Sequence, residues 1–547
     1  MKFVKTFLLA MLVLCLTIVT ACGNSNNTNS NTPKATNTAG AEQGGKEENA
    51  GGELEPLKLS FFFPGNPDTV MPRGEDDFVR TYLEKKFNVT IAFDTLPFGD
   101  EFNTRLNLKI SSGDAPDLMV ISGTSTVQLF ADGVMGNIGA GLNPEVMPNF
   151  FKWVTPEVLA NYQIEKGSTA RGYVPVNPKP ITSYFIRKDW LDALKLDYPT
   201  NYAELTEVVR AFTQDDPDGN KRNDTYGFTT PGNGQMVSSY FPQYNNHGIY
   251  QSMFIDPKTK NFRTAYTDPV IGEVLDDIRG WTDKGYVDPD WFLSDNATSE
   301  QKFAQGRIGI IWGAADQFAF DSNPNSYFNQ LKQLYPNADV RAFNPFPDHP
   351  VNLKIEPGYS WSIAQRTIEK SPEKVDRIIQ IVDWLFSEEG YLMTHYGIED
   401  KHYTRSGNTI TLNPQAYKED VIDKGNFLVA WHAMTPERYT EPLGLEVVDP
   451  TLSNRDKEMM AVINDYGILQ SATGYIPPEG FDWGSFATKR AEIQVQYLFE
   501  KNKYPEWTPL LHEFLTKYGA NDLYNAYVEQ TQATGVEVND WVSPTGQ

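Results

Sequence analysis

The most distinctive spacing of chemically active side chains lies between residues 216 and 224. Oxygen-bearing side chains recur there at alternate positions, at Asp216, Asp218, Asn220 and Asp224. Together with the backbone carbonyl of Arg222, these oxygens match positions 1, 3, 5, 7 and 9 of an EF-hand calcium loop. Calcium suits the pattern because it accepts about six to eight oxygen ligands at flexible geometry, whereas magnesium requires a tighter octahedron. We therefore predict a Ca²⁺ site with a structural rather than a catalytic role.

The same loop also departs from an EF-hand. Lys221 stands at position 6, where an EF-hand has glycine, while Gly219 directly follows Asp218. Position 12 carries no glutamate, so Thr225 or water must complete the coordination shell. The alternative interpretation is an ordinary turn rich in Asp and Asn, whose short side chains hydrogen-bond their own backbone.

Aromatic residues at the ends of two apolar stretches form a second candidate site. Residues 306–313 predict a buried strand that presents Trp312 beside glycines and is followed by Asp316. Tyr359 and Trp361 hold a similar position before another apolar stretch. Sugar rings have apolar faces and hydroxyl edges, so aromatic rings with carboxylates nearby suit them as ligands. The alternative is that each tryptophan belongs to a hydrophobic core.

Signatures of common enzymes do not occur in the sequence. It contains no Gly-x-Ser-x-Gly elbow, no His-Glu-x-x-His motif and no Gly-x-x-x-x-Gly-Lys-Ser/Thr loop. The six histidines are scattered, which predicts surface or core groups rather than metal ligands. We therefore expect no enzymatic activity. An anchored glycoside hydrolase or polysaccharide lyase stays the alternative, since the two carboxylates of a glycosidase have no fixed spacing in sequence.

The N-terminal segment carries the features of a secretory signal peptide. Lys2 and Lys5 precede an uncharged run over residues 6–21, and small residues stand just before Cys22. The run is too short for a comfortable membrane span, which takes about 20 apolar residues. Val19 to Cys22 resembles the lipobox of bacterial lipoproteins, which implies cleavage after residue 21 and a diacylglyceryl group on Cys22. A transmembrane anchor or an ordinary cleaved signal is the alternative.

Residues 22–56 predict a flexible polar tether behind that anchor. From Gly23 to Pro56 there is no aromatic residue, so the segment cannot bury enough apolar surface to offset its ordering entropy. As a flexible coil it has an end-to-end distance of about 30 Å. The folded body is therefore expected to swivel close to the membrane.

Composition limits the possible partners and the sources of stability. The formal net charge of −24 argues against binding nucleic acid, or an anionic membrane, through a broad basic face. Cys15 lies in the segment to be removed and Cys22 would carry the lipid, so no disulfide can form. Stability must then come from a large core. The roughly 490 residues beyond the tether are too many for one compact domain.

A strand, helix, strand pattern follows the tether. Residues 57–63 predict a strand that ends at a Pro-Gly turn, residues 76–87 a helix and residues 89–93 a second strand. A further helix over residues 102–110 and a strand over residues 117–121 repeat the unit. This order favours α/β architecture with a parallel sheet.

The alternation restarts with a predicted strand over residues 184–187 and helices from residue 188 and over residues 202–212. Asn201 and Glu204 resemble a capping box at the start of the second of these helices.

The clearest helix spans Pro372 to Phe386, with Ser371 as its expected cap and one apolar stripe. Proline-rich connectors over residues 174–180 and 343–350 are too irregular for either kind of element. They predict hinges between two α/β lobes.

Several segments together resemble a solute-binding lipoprotein of a carbohydrate ABC importer, of extracellular solute-binding protein family 1 and its larger, calcium-containing type. These segments are residues 111–117, 184–191, 306–312, 384–391 and 396–397. The resemblance implies a two-lobed, periplasmic-binding-protein-like α/β fold of the class II type, with a hinge and a ligand cleft. It also implies that a sugar or oligosaccharide is captured and delivered to the permease subunits of the importer.

The resemblance further implies a domain plan and a set of ligand contacts. Lobe 1 is expected over residues 57–180, lobe 2 with the calcium loop over residues 181–342, and a hinge with a return to lobe 1 over residues 343–400. Residues 401–547 are expected mainly in lobe 2. The expected ligand-binding residues are Trp312, Asp316, Tyr359, Trp361, Phe62, Phe63 and Asp114.

The calcium loop is similar to that of alginate-binding relatives, which have an acidic residue in the place of Thr225. The expected location is the extracellular face of a cell membrane, that of a Gram-positive bacterium being favoured, and the expected state is a lipid-anchored monomer.

Overall fold

The computed structural model describes residues 54–547 with short gaps. The gaps are residues 98, 122–128, 131, 157–158, 160–162, 165–167, 177–180, 251, 350–358, 438, 468, 470–476, 479, 534–536 and 547. The predicted signal peptide, the lipid site at Cys22 and most of the tether lie outside the described residues. No helix within the described part of the chain is both long and apolar enough to cross a membrane.

The described residues form fourteen strands, numbered in chain order. They are β1 (Leu57–Gly65), β2 (Val89–Pro97), β3 (Leu118–Ile121), β4 (Gly172–Tyr173), β5 (Thr182–Arg187), β6 (Tyr226–Phe228), β7 (Met253–Ile255), β8 (Phe262–Thr264), β9 (Ile308–Ala314), β10 (Val340–Phe343), β11 (Ser360–Ile363), β12 (Tyr403–Ser406), β13 (Thr409–Leu412) and β14 (Glu446–Val448).

The α-helices that the structure describes lie between and after these strands. They are Phe78–Phe87, Asp100–Ser111, Phe150–Trp153, Lys188–Leu194, Tyr202–Gln214, Pro242–Asn246, Ile271–Asp283, Asn296–Ala304, Ala315–Phe318, Tyr327–Leu334, Gln365–Lys370, Pro372–Leu385, Glu388–Tyr396, Pro414–Tyr417, Leu428–His432, Asn454–Asn464, Trp483–Phe499, Trp507–Lys517 and Ala520–Ala533.

The first sheet has the strand order β2-β1-β3-β11-β4. Strand β1 pairs in parallel with both β2 and β3, which confirms the predicted β-α-β units. Strand β11 runs antiparallel between β3 and β4. Helices cover both faces of this sheet. Phe61 and Phe63 pack on one side and Phe62 on the other, so the triple phenylalanine run is buried throughout.

The second sheet has the order β10-β5-β9-β6. Strand β5 is antiparallel to β9 and β10, while β6 is parallel to β9. A three-stranded sheet β12-β13-β14 and the hairpin β7-β8 complete the strands of the described residues.

Helix termini follow the sequence signals only in part. Asn201 caps the helix Tyr202–Gln214 by accepting a hydrogen bond from the Glu204 backbone N–H at 3.0 Å. The Glu204 carboxylate accepts from the Thr200 backbone N–H instead of that of Asn201, so the reciprocal half of the predicted box is shifted by one residue. The predicted cap Ser371 makes no side-chain capping bond, and Pro372 starts that helix without it.

The C-terminal segment contributes to both halves of the molecule. Phe427 and Trp431 pack in the core of the first sheet together with the helix Pro372–Leu385. Met459 and Ile463 pack beside the second sheet, and helices from residue 483 onward fill its main core.

The chain passes between the two halves three times. It leaves the first sheet after β4 and enters the second at β5, then returns between β10 and β11. A third passage runs from β14 to the helix Asn454–Asn464. The two proline-rich connectors fall in the first two passages, whereas the third carries no comparable sequence signal.

Asp77 is a fully buried carboxylate in the first half. Its Oδ1 accepts from the Arg80 backbone N–H at 3.0 Å and from Trp431 Nε1 at 3.3 Å. Its Oδ2 is buried and has no hydrogen-bond partner among the described residues, while Arg80 Nε lies 3.6 Å away. Burial outweighs these favourable contacts and raises the pKa of Asp77 from 3.8 to about 6.

We predict that Asp77→Asn stabilises the protein near neutral pH. The folded state binds the Asp77 proton more tightly than the unfolded chain does, so stability falls as pH rises from about 4 to about 6 and stays low above it. The side-chain oxygen of the asparagine can still accept the capping hydrogen bond from the Arg80 backbone N–H, but it carries no negative charge. The gain in the free energy of unfolding should be about 3 kcal/mol at pH 7.5 and about 1 kcal/mol at pH 4.5, measured by urea denaturation.

The control for this substitution is Asp295→Asn. Asp295 caps the exposed start of the helix Asn296–Ala304 by accepting from the Thr298 N–H, and hydrogen bonds from the Thr298 hydroxyl and then from its backbone N–H lower the pKa of Asp295. This variant should not be stabilised at pH 7.5. A pH-independent effect of Asp77→Asn, or a loss of stability at pH 7.5, would contradict the assignment.

Candidate functional site

The strand ends next to the passages between the two halves, which we call crossings, lie at one edge of the first sheet. In the register of this sheet, Ser360 at the start of β11 lies opposite Ile121 at the end of β3 and Tyr173 at the end of β4. The carboxyl end of β1 reaches the same level at Pro64 and Gly65. We call this row the first crossing edge.

The second sheet has a matching edge. Thr182 at the start of β5 lies opposite Ala314 at the end of β9. Two residues further along β5, Tyr184 lies opposite both Trp312 and Phe343, the last residue of β10. We call this row the second crossing edge.

The chain itself holds the two edges close together. Nine peptide steps separate Tyr173 from Thr182, so these edges lie at most about 30 Å apart. Ligands of open α/β sheets bind outside the carboxyl ends of the strands. The carboxyl ends of β1 and β3 lie on one edge and that of β9 on the other, so the two edges bound the candidate site.

A cavity of about 290 Å³ opens on the first crossing edge. Its lining residues are Pro64, Gly65, Asn66, Val174, Pro175, Val176, Tyr359, Val429, His432, Ala433 and Glu437. Backbone hydrogen bonds fix its rim, from Val174 N–H to the Tyr359 carbonyl at 3.0 Å and from Glu437 N–H to the Pro175 carbonyl at 2.9 Å. Burial, and next the negative charge of Glu437, raise the pKa of Tyr359, so its hydroxyl stays protonated at neutral pH.

His432 forms a rigid wall of this cavity. Its ring stacks on that of His395 with centroids 4.4 Å apart and an angle of 17° between the planes. Nε2 of His432 is hydrogen-bonded to the Thr394 carbonyl at 2.9 Å, and Nε2 of His395 to the Pro436 carbonyl at 2.7 Å. Both rings therefore have fixed orientations.

The second crossing edge carries a pair of aromatic rings. The rings of Trp312 and Tyr240 stack with centroids 6.0 Å apart and 19° between their planes. Tyr184 packs edge-on against Trp312 at 4.8 Å, and its hydroxyl donates to the Tyr240 carbonyl at 3.0 Å. Tyr240 is 43% exposed, and Asp316, in the helix that follows β9, is also exposed. The second crossing edge thus carries a partly exposed aromatic ring, and an exposed carboxylate follows its strand.

Tyr240 was not predicted from the sequence. It lies in an irregular segment between β6 and the helix Pro242–Asn246, where neither hydrophobic periodicity nor a motif marks it. Only the tertiary contact with Trp312 and the hydrogen bond from Tyr184 bring it to the site.

The structure places the other predicted ligand residues differently. Trp312 and Tyr359 are half-buried on the two crossing edges. Phe62, Phe63 and Trp361 are core residues with 0% exposure, so no ring face of theirs is open to a ligand here.

Close packing explains the burial of these three rings. Phe62 stacks on Phe102 at 4.5 Å, and Phe63 packs against Phe93 at 5.0 Å. The Trp361 ring covers Gly172, where an added Cβ would come within 2.0 Å of it.

Asp114 lies away from the crossing edges. It is exposed, precedes the amino end of β3 and faces Arg366 across 3.8 Å. The carboxyl end of β3, at Ile121, is the end that reaches the first crossing edge. The structure therefore does not bring Asp114 together with Trp312 or Tyr359.

The acidic loop after the helix Tyr202–Gln214 is closed by its own hydrogen bonds. The backbone N–H of Lys221 donates to Asp216 Oδ2 at 3.0 Å, and that of Arg222 donates to Asn220 Oδ1 at 2.7 Å. Lys221 adopts the left-handed conformation with φ of 64°, at the position where an EF-hand has glycine. The backbone can thus take an EF-hand-like turn without the glycine.

Charge in this loop is only partly compensated. Burial raises the pKa of Asp218, and so do the neighbouring carboxyls of Asp216 and Asp224, against a hydrogen bond from the Asn220 backbone. Asp216 Oδ1 is buried and has no hydrogen-bond partner among the described residues. A cation that prefers oxygen ligands would lower the raised pKa of Asp218 and give the buried Asp216 oxygen a partner, so the donor set fits Ca²⁺.

The carboxylates are nevertheless not assembled as a metal cage. Among the described residues, no group of three or more His, Cys, Asp or Glu is arranged to hold a metal ion. The Asn220 amide explains this, because its Nδ2 donates to Asp218 Oδ2 at 2.8 Å and to Asp224 Oδ1 at 3.1 Å. The hydroxyl of Thr225 is buried and donates to the Phe212 carbonyl at 2.8 Å.

Two α/β halves are joined by crossings, with a cavity on the first crossing edge and a partly exposed aromatic ring pair on the second, which is the architecture of a two-lobed protein. Residues 69–391 match the family model described as bacterial extracellular solute-binding protein, and the chain belongs to this family. Both the family and the two-lobed α/β fold predicted from the sequence are thereby confirmed.

Curated relatives are similar to part of the chain. The polygalacturonan/rhamnogalacturonan-binding protein YtcQ of Bacillus subtilis is 25% identical over 336 residues, which are 59% of this chain and 63% of that protein. Lipoprotein LipO of the same organism is 25% identical over 394 residues, 68% of this chain and 72% of its own length. The fructooligosaccharide ABC transporter substrate-binding protein FusA of Streptococcus pneumoniae is 30% identical over 357 residues, 61% of each chain. The match thus spans less than two thirds of YtcQ and FusA.

Solved structures share the fold at low sequence identity. FusA of S. pneumoniae in complex with kestose has a TM-score of 0.60 at 18% identity and covers 87% of this chain and 99% of its own. The alginate-binding protein AlgQ2 without calcium ion has a TM-score of 0.60 at 17% identity, with coverages of 88% and 98%. Another FusA structure, of an EF-hand mutant, has a TM-score of 0.59 at 18% identity, with coverages of 87% and 99%.

Proposed function

We propose that this protein captures a sugar or oligosaccharide between its two crossing edges and delivers it to the permease subunits of an ABC importer. The observation that carries the proposal is the Trp312–Tyr240 ring pair on the second crossing edge, with the exposed Asp316 four residues after Trp312 in the chain. Stacking on ring faces and hydrogen bonds to hydroxyls are the two contacts that a sugar offers. The names of YtcQ and FusA, both carbohydrate-binding proteins, support the ligand class.

The mechanism we propose is a clamp without chemistry. Contacts that a ligand makes with both edges exist only when the edges approach, so binding shifts the population toward the closed arrangement. The permease would distinguish that arrangement from the open one. Specificity would come from polar groups that match the sugar hydroxyls, because a buried group left unpaired costs about 1 to 3 kcal/mol.

We propose lobe boundaries that follow the crossings. Residues 57–180 would form the first lobe and residues 181–342 the second, with a hinge and return over residues 343–400. Residues 401–547 would belong mainly to the second lobe. The packing of Phe427 and Trp431 in the first core supports counting the opening part of this last segment with the first lobe.

We propose that Cys22 carries the lipid and that residues 22–56 tether the protein to the extracellular face of a Gram-positive cell membrane. The family is extracellular and one relative is named a lipoprotein. A tether of about 30 Å confines a monomeric capture protein near its permease and raises its effective concentration there. Two or more acyl chains would make the anchoring durable.

We also propose a structural Ca²⁺ held by Asp216, Asp218, Asn220, Asp224 and the carbonyl of Arg222. The unpartnered Asp216 oxygen and the raised pKa of Asp218 support it. The Asn220 amide would have to turn so that its oxygen faces the cation. AlgQ2 without calcium and the FusA EF-hand mutant support the choice of metal.

Binding is tested by a thermal-shift screen of neutral and acidic oligosaccharides against the protein without residues 1–21. A sugar at 100 times its Kd should add about 2.7 kcal/mol to the free energy of unfolding. Trp312→Ala and Tyr240→Ala should each weaken that sugar at least tenfold by calorimetry. Phe499→Ala, which truncates an exposed ring on another helix of the same half, should not.

The same samples separate binding from catalysis. The bound sugar should be recovered unaltered by mass spectrometry after prolonged incubation. Turnover would favour the anchored hydrolase or lyase, and the absence of any shift across the whole screen would remove the capture function.

Calcium binding is tested by chelation. EDTA should lower the melting temperature of the wild-type protein, and added Ca²⁺, but not Mg²⁺, should restore it. Asp218→Asn should abolish the response. The neighbouring Asp215→Asn, whose carboxylate pairs with Arg210 outside the alternating oxygens, should keep it. If EDTA does not change the melting temperature of the wild-type protein, the proposed calcium site is wrong.

Anchoring is tested by Cys22→Ser in the full-length chain. The wild-type protein should fractionate with membranes and be labelled by radioactive palmitate, whereas the variant should be unlabelled. Equal labelling of both proteins would place the lipid elsewhere.

A further inference from the structure

We propose that an exposed apolar patch beside the second crossing edge is the surface that docks on the permease. The patch consists of Phe292, Leu293 and Phe499. This inference rests on the proposed function, and it concerns the delivery of the sugar rather than its capture. It is carried by the exposure of the patch and by its position at the end of the sheet that holds the Trp312–Tyr240 ring pair.

The patch exposes large apolar side chains next to one another. Leu293 is 76% exposed and Phe499 is 52% exposed, while Phe292 is half-buried. The rings of Phe292 and Phe499 pack with centroids 4.8 Å apart, and Phe499 also stacks on the buried Trp291 at 6.1 Å. Single exposed apolar residues are common on soluble proteins, but a contiguous group indicates an interaction surface.

Strand polarity places the patch at the same end of the second sheet as the ring pair. Strand β6 runs parallel to β9, and Val287 forms a parallel bridge with Phe228, the last residue of β6. The backbone N–H of Asp288 donates to the Phe228 carbonyl at 2.9 Å. The chain after Asp288 therefore continues from the carboxyl end of β6, which is also the end near which β9 carries Trp312.

The loop after β6 packs on the backbone of the patch. The Gly232 N–H donates to the Trp291 carbonyl at 3.0 Å, and the Gly234 N–H donates to the Phe292 carbonyl at 2.6 Å. A Cβ atom at Gly232 would come within 2.5 Å of the Phe292 carbonyl oxygen, so this close approach requires glycine. The loop and the patch therefore form one continuous surface.

The same segment leads from the patch to the proposed sugar site. Phe241 packs edge-on against Trp291 with centroids 4.9 Å apart. Its neighbour Tyr240 stacks on Trp312. Two adjacent residues thus connect the patch to the ring pair, and the patch borders the second crossing edge.

The permease is the occupant that this position favours. A sugar that leaves the second crossing edge enters the partner that faces this edge, so that partner contacts the surface bordering it. Charged side chains adjoin the patch in the chain. They are Asp290, which is 69% exposed, and the pair of Glu500 and Lys503 at 3.3 Å. An apolar centre with a polar rim is the usual composition of a protein–protein interface.

Uptake of the leading sugar from the screen tests the patch. Leu293→Ser in the full-length chain should lower uptake of the radiolabelled sugar at least fivefold, at saturating sugar, in cells that depend on this protein. Its affinity for the sugar should stay within twofold of the wild-type value by calorimetry, because Leu293 lies outside the ring pair. Phe499→Ala should behave in the same way.

The matched control is Leu334→Ser. Leu334 is 60% exposed and ends the helix Tyr327–Leu334 of the same half. The next residue, Tyr335, packs against Gly306, two residues before β9 begins, so Leu334 lies toward the end of the sheet opposite the ring pair. This variant should leave both uptake and affinity unchanged.

Site-specific photo-crosslinking identifies the occupant. A photoreactive amino acid in place of Leu293 should give a product with a permease subunit in the same cells, identified by mass spectrometry. The same amino acid in place of Leu334 should not give this product.

Four results would overturn the inference while leaving capture intact. They are normal uptake in Leu293→Ser, uptake that falls only because sugar affinity falls, a crosslink from residue 293 to a second copy of this chain, and binding of the unlipidated protein to phosphatidylglycerol vesicles that Leu293→Ser removes. If no sugar binds in the screen, the proposed function fails and the inference fails with it.

Discussion

The site depends on the environment of one buried side chain, Tyr184. It lies in β5, between β9 and β10, opposite Trp312 on one side and Phe343 on the other. Its ring supports Trp312 edge-on and its hydroxyl holds the Tyr240 backbone. Burial raises the pKa of Tyr184 well above its usual value, so the hydroxyl stays a donor at all physiological pH values. Tyr184 therefore holds the Trp312–Tyr240 ring pair in place at the second crossing edge.

Elements were predictable wherever a local pattern decided them. The β-α-β units at the start and the helix Pro372–Leu385 follow directly from apolar spacing, because each buries one face against a sheet. Side-chain placement was less predictable. Trp312 and Trp361 both stand beside apolar strand residues, yet only Trp312 is half-exposed. The difference is tertiary, since β11 is covered by β3, β4 and Phe150, and no local pattern of residues encodes that cover.

The acidic loop shows the same division between local and non-local information. The alternating oxygens were visible in the sequence, and the left-handed conformation of Lys221 gives the turn that glycine would otherwise supply. The sequence could not show that the Asn220 amide bridges two carboxylates in this conformation. The oxygen-bearing side chains thus have the spacing of a calcium loop in the sequence, but in the structure the Asn220 amide lies between the carboxylates of Asp218 and Asp224. Their final arrangement depends on whether a cation binds.

The three passages between the halves also bear on how the protein reaches its folded state. The first sheet gains β11 only after every strand of the second has been synthesised, and the main core of the second sheet is filled by helices from residue 483 onward. The buried residues of the first core extend to Met434, and only the second core waits for the helices from residue 483 onward, so the nascent polypeptide keeps the apolar surface of the second core open until those helices are made. In this topology the first core can therefore close before the second, which becomes complete only with the C-terminal helices.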